Sequence, residues 1–282
     1  MPAGEGGGAL RSDGRARIGI ALLALVATLA LLAPVVSPIH PDTQRDVAAT
    51  RFLTPMSHDV HGVFHPLGTD RLGRDVWARL VYGARVSLLV GVLGMAVSLL
   101  IGITIGAAAA AAPPAASALL LGATDFALGL PRVVLLLLLA ALWTPSAVLV
   151  VVVLGLTGWM PVARLVHAEA RAQLARPYVE AAAALGAGPL RVLVRHVLPH
   201  TLAPVLAVAT LGVGNAITLE AGMSFLGLGV QPPAASWGTM IASGRDTVVN
   251  APWVGLAPGI ALVLVVVGCT LVADAVQERG AG

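Results

Sequence analysis

The 282-residue chain is 57% hydrophobic and 11% charged, against roughly 45–50% and 25% in soluble domains, so composition excludes an ordinary soluble globule and points to a polytopic membrane protein. All 17 cationic side chains are arginine, and a chain without lysine cannot form a Walker A phosphate loop, which excludes a P-loop ATPase. The net charge of +3 is carried by arginines dispersed beside apolar runs, a topological pattern rather than a nucleic-acid-binding one, and the single cysteine, Cys269, excludes an intrachain disulfide.

Residues 1–17 are rich in Gly, Ala and Arg without apolar periodicity and read as a disordered cytoplasmic tail. Arg11, Arg15 and Arg17 precede the apolar run Ile18–Val36, which with its Pro-rich end gives a first transmembrane helix over 18–39. A signal peptide is the competing reading, but the run is too long for its apolar region and no small-residue cleavage site follows. Residues 40–83 form a polar loop with nearly balanced charge, placed outside. Within it Asp70/Arg74 and Asp75/Arg79 have i,i+4 spacing, and Trp77, Leu80, Val81 and Tyr82 supply an apolar side, predicting an interfacial helix. His58, His61 and His65 with Asp59 carry no diagnostic ligand spacing, and no metal site is assigned.

A transmembrane core over 84–275 follows from apolar length. Its spans are Val86–Ala112, with Gly91, Gly94, Gly102 and Gly106 as close-approach positions, then Leu119–Trp143, Ala147–Val166, Thr201–Phe225 and Trp253–Ala275. The expected fold is all-α with about six transmembrane helices, both ends cytoplasmic, and a short cytoplasmic tail over 276–282. Five polar positions within the spans are candidate pathway or scaffold residues: Asp125, Arg132, Asn215, Glu220 and Ser224. For Asp125 and Arg132, seven residues apart around Pro131, a pathway lining and a packed pair are both open. For Glu220, near the outer end of its span, scaffolding the following loop through backbone amides and contacting substrate are both open.

Between the fourth and fifth spans lies Arg176–Pro204, a polar, arginine-bearing stretch. Pro177 opens a short helix that Gly186 and Gly188 stop. A second helical pattern runs from Leu190 to Val197, with Leu190, Leu193, Val194 and Val197 on one face, until Pro199 ends it. Helix, glycine turn and helix make a rigid knob suited to docking a soluble partner.

Glu180-Ala181-Ala182, then Gly186, then His196-Val197-Leu198-Pro199 resembles the EAA loop (here over 170–200) of ABC-importer membrane subunits. Two further stretches resemble the peptide and nickel branch of that family: His65-Pro66-Leu67-Gly68-Thr69-Asp70-Arg71-Leu72-Gly73-Arg74-Asp75-Val76-Trp77, and Glu220 through Pro233 followed by Ser236-Trp237-Gly238. The resemblance implies the type I importer permease fold. It implies an ATPase-coupling role for Tyr178, Glu180, Ala181, Ala182, Gly186, Gly188, Arg195, His196, Leu198 and Pro199. It further implies a homologous B-type permease, one or two ABC ATPase subunits that bind ATP and Mg, an extracytoplasmic solute-binding protein, no cofactor on this chain, no catalytic residue, and a bacterial inner-membrane location. Peptides are the expected cargo, with nickel or another small solute as the alternative. A secondary transporter or a membrane-embedded enzyme is a reading of another class; the EAA loop opposes the first, and the lack of a convergent catalytic set opposes the second.

Overall fold

The computed structural model describes residues 5–280, with the side chains of residues 5–13, 132, 133, 136, 140, 279 and 280 outside the described set. Helix α1 (Glu5–Leu31) starts well before the apolar run, which corrects the reading of residues 5–17 as disordered. A helix nucleated in the span extends into the Ala- and Arg-containing segment at the cost of propagation alone. Pro34, in the single turn α2 (Ala33–Val36), has no N–H to offer the Ala30 carbonyl. The Arg85 guanidinium fills that gap, donating to the carbonyls of Ala30 and Leu31.

The polar segment that follows holds α3 (Val47–Thr50), capped by Asp46, and a two-residue antiparallel hairpin, β1 (Ser57–His58) with β2 (Phe64–His65). Asp75 then caps α4 (Val76–Ala111), accepting from the Ala78 amide at 2.6 Å. The predicted interfacial helix and second span are therefore one 36-residue helix. At about 1.5 Å per residue it far exceeds the roughly 30 Å hydrocarbon core, and its first turns are built into the 40–75 module.

The expected third span is divided. Helix α5 (Pro114–Gly129) ends at Leu130, and α6 (Arg132–Leu142) starts after Pro131. The proline ring drives Leu130 out of the helical region, to ψ 130°. Neither piece is long enough to cross a bilayer alone. Together they return the chain along α7 (Ala147–Leu174), which packs lengthwise on α4. Glycines make that seam close: a Cβ at Gly102 would lie 2.6 Å from Val162 Cβ and 2.8 Å from the Trp159 carbonyl.

Past α7 come α8 (Pro177–Ala184), α9 (Pro189–Val192), a π-helical turn (Leu193–Val197) and α10 (Leu198–Phe225). A loop and α11 (Trp237–Arg245) lead to α12 (Trp253–Gly280), which packs on α1, α10 and α11. Helices α1, α4, α7, α10 and α12 are long and apolar enough to cross a membrane, so the chain is an all-α, multi-pass membrane protein. One end of the bundle carries residues 40–75 and 226–252; the opposite end carries α8.

Candidate functional site

The α8 end is built on a short helix with a buried anchor and an exposed edge. Pro177 sits in the first turn, where its missing N–H costs nothing, and Glu180 lies at the positive end of the helix dipole. Gly186, at φ +85°, closes the helix: its N–H donates to the Ala183 carbonyl at 2.9 Å and that of Ala187 donates to Ala182 at 3.1 Å. This is a Schellman ending, which requires the left-handed conformation at Gly186. Gly188 has φ −66° and simply precedes Pro189. Val179 anchors α8 in a cluster with Ala170, Val192, Leu193 and Val197. The Tyr178 hydroxyl lies 3.0 Å from Gln173 Oε1 and 3.1 Å from the His196 carbonyl, so its one proton ties α8 to the end of α7 or to the π turn.

Pro199 does not end the second helix. The Leu198 amide donates to the Leu193 carbonyl, and this wider turn admits the proline ring at the start of α10 without a clash. The extra residue also alters the predicted face. Leu193 and Val197 are buried with Val192, while Leu190 is 72% and Val194 55% exposed. Leu185 is 91% exposed, beside exposed Glu180, Ala181, Arg191 and Arg195. Ala182, His196 and Leu198 are half-buried, and Pro199 is exposed. The segment from α8 through the π turn thus presents exposed apolar side chains and exposed arginines at the tip of the bundle.

The other end is a polar module buried against the helices. His65 Nδ1 lies 2.6 Å from Asp75 Oδ2, and its Nε2 faces Asp59 Oδ2 at 3.7 Å. Asp70 pairs with Arg74 at 2.7 Å, but outside any helix; Arg79 turns to Asp42 at 3.2 Å, not to Asp75. Spacing alone misassigned that second pair, because Asp75 serves as a helix cap and a histidine partner. Burial raises the Asp59 pKa, but amide hydrogen bonds from Val63 and His61, with the nearby His65 and His61, outweigh it and hold the carboxyl below the usual range. His58 lies against Phe64, its ring centroid 5.1 Å away, and among the described residues no group of three His, Cys, Asp or Glu is placed to hold a metal. Trp237 Nε1 donates to the Leu80 carbonyl and Trp253 Nε1 to that of Thr69, tying loop, module and helices together.

The polar residues within the spans separate. Asn215 lines a cavity of about 240 Å³ between α4, α7 and α10, with Gly94, Ser98, Gly158 and Pro161. Asp125 is half exposed and pairs at 3.0 Å with Arg164 of α7, a partner its spacing to Arg132 did not reveal; the Arg132 side chain lies outside the described residues. Glu220 is fully buried, accepting from Ser224 Oγ at 2.7 Å and Ser87 Oγ at 3.0 Å. The expected link to the loop's amides runs through serine hydroxyls instead of directly. Ser87 belongs to no motif in the sequence, and a serine within the apolar run of α4 is the one signal it leaves there.

The chain matches the family described as "Binding-protein-dependent transport system inner membrane component" over residues 102–279, more than half its length. It is 38% identical over 262 residues to the di/tripeptide transport system permease protein of Pseudomonas aeruginosa, covering 92% of this chain and 85% of that one. Two Brucella suis proteins named as peptide permeases are also similar. One is 38% identical over 263 residues (93% of this chain, 86% of the relative), the other 43% over 216 residues (76% and 72%).

Proposed function

We propose, from the premise that this chain belongs to the binding-protein-dependent transport system inner membrane components and is an ABC peptide permease subunit, that it supplies half of a translocation pathway and takes its drive from soluble ATPases through α8. The observation that carries the coupling role is the apolar surface at the α8 end. Leu185 at the end of α8, Leu190 on α9 and Val194 in the π turn are exposed apolar side chains, while Val179 of α8 is buried among Val192, Leu193 and Val197, so packing fixes these elements to one another and leaves the three apolar side chains open. Exposed Arg191 and Arg195 beside it suit an acidic rim on the partner. In this reading α8 faces the cytoplasm of a bacterial cell, which the arginine excess of the 164–195 stretch supports. The cavity at Asn215 lies on the pathway, completed by a homologous B-type permease. The partner ATPases bind ATP and Mg, this chain holds no cofactor, and an external solute-binding protein delivers the cargo. Peptides are the cargo in keeping with the relatives' names.

ATP-driven closure of the ATPases then moves α8, and with it α10, between inward- and outward-open arrangements. The test is reconstitution of this chain with its sister permease, ATPases and peptide-loaded binding protein. Leu185→Asp and Glu180→Lys change exposed side chains, so insertion is expected to be normal while ATPase association and peptide uptake are lost. Uptake at the wild-type rate in both variants overturns the assignment of α8 as the dock.

A further inference from the structure

Glu220 has no structural need to be charged, yet it is fully buried, and among the described residues no arginine or histidine pairs with it. Its carboxylate accepts from two hydroxyls, Ser224 Oγ and Ser87 Oγ, each of which also accepts a backbone amide: the Val230 N–H donates to Ser224 Oγ at 3.1 Å and the Trp237 N–H to Ser87 Oγ at 3.1 Å. A serine that accepts an amide and gives its one proton to a carboxylate has its rotor fixed. Glu220 thus orients two serines that hold the loop 226–236 at Val230, within it, and at Trp237, just past its end. The loop seats on this cluster backbone first: a Cβ at Gly238 would lie 2.6 Å from Ser224 Cβ, and one at Gly83 would lie 3.4 Å from the Ser236 backbone.

We infer that Glu220 is a positioning residue for the outer mouth of the pathway: through Ser87 and Ser224 it fixes the loop 226–236 onto α4 and α10. These are the same two helices that place Gly94, Ser98 and Asn215 around the 240 Å³ cavity. The loop presents Leu226 outward, 61% exposed, at the end of the bundle opposite α8. A loop held this way moves with the pathway helices, so contact with a delivery protein there is transmitted to the cavity instead of being absorbed by the loop. The inference rests on the importer reading for its functional half; the relay itself stands on the geometry.

The experiment uses the reconstituted importer in lipid nanodiscs, comparing wild type with Ser87→Ala and Glu220→Gln, the latter keeping shape while replacing an acceptor with a donor. Two readouts are taken: hydrogen exchange across the chain, and transport against the concentration of binding protein loaded with trialanine. Exchange at Val230 and Trp237 is expected to quicken by roughly tenfold while α7 and α8 keep their protection. The half-saturating concentration of loaded binding protein should rise several-fold, with ATP hydrolysis in its absence unchanged. Unaltered exchange at those two amides overturns the relay, and equal loss of protection along every helix reduces Glu220 to bulk stability. Quickened local exchange with an unmoved transport curve overturns the positioning role. If wild-type hydrolysis does not respond to loaded binding protein, the importer reading fails and takes the positioning role with it, whereas the exchange data still decide the relay.

Discussion

Gly186→Ala isolates one physical cause at the α8 tip. An added Cβ meets no atom within 4 Å, so the substitution creates no clash and leaves the buried anchor untouched. Its whole cost is holding an L residue at φ +85°, about 1–2 kcal/mol. That shifts the balance between the Schellman-closed tip and frayed alternatives by roughly 5- to 30-fold. If the ATPase recognises only the closed tip, its apparent affinity falls as the competent population falls. Titrating ATPase subunits onto permease nanodiscs and following ATP hydrolysis should show a half-saturation point raised by up to that factor and a maximal rate that recovers at high ATPase. Gly188→Ala is the matched control: two residues away, at φ −66°, with equally open space, it should leave the titration unchanged. Gly186→Pro goes further, since the ring fixes φ near −65° and removes the N–H that donates to Ala183, and it should abolish coupling. Identical titration curves for Gly186→Ala and Gly188→Ala would refute the argument that tip geometry is what the ATPase reads.

Gly102→Val should drive α4 from α7, because its Cβ alone falls 2.6 Å from Val162 Cβ; overpacking of this kind costs about 1–3 kcal/mol. Thermal unfolding in detergent should show the loss, whereas Gly122→Val, with nothing within 4 Å, serves as an open-site control; equal stability of the two variants counts against the seam. Asp59 has a folded pKa below its unfolded value of about 3.9. It therefore stabilises the hairpin above that value, and the contribution is lost as pH falls through the folded pKa, below about pH 4. Exchange at His61 and Val63, corrected for intrinsic rates, should rise as pH falls below about 4, and Asp59→Asn should remove that step; the same acid step in both proteins refutes it.

Apolar length made the long helices legible, and the spacing Glu180–Gly186–Leu198-Pro199 located α8 to within a residue, because a proline start and a glycine stop are local signals. Prolines at longer range were misread in both directions. Pro199 reads as a stop but is accommodated by the π turn; Pro131, inside an apolar run read as one span, divides it. In each case the outcome depends on what neighbouring carbonyls can do, which a one-dimensional pattern does not encode. Charge pairing failed for the same reason. Asp75 and Asp125 sit at suitable spacing from Arg79 and Arg132, yet Asp75 goes to His65 and Asp125 to Arg164, residues brought close by the hairpin and by α7. The Glu220 site was half visible: the residue stood out as a buried charge, but its partner Ser87 comes from α4, 133 residues before it.

These details converge on α10. It spans 28 residues, about 42 Å at 1.5 Å per residue, and carries a different constraint at each level. Its first turn follows the π turn in which the Val197 side chain is fully buried and the His196 carbonyl faces the Tyr178 hydroxyl. Asn215, midway to its far end, faces the cavity, and Glu220 and Ser224 hold the outer loop. A helix this long with its ends pinned to different partners cannot shift at one end alone without breaking contacts at the other. By contrast, the α5–α6 side is interrupted at Leu130–Pro131, and that break faces Pro161 of α7 across a space of about 110 Å³. Contacts thus tie α10 to α8 at one end and to the 226–236 loop at the other, while the α5–α6 side is divided. In the importer reading, that asymmetry makes a tilt of α10 the least costly response to displacement of α8, with the divided helix yielding to accommodate it.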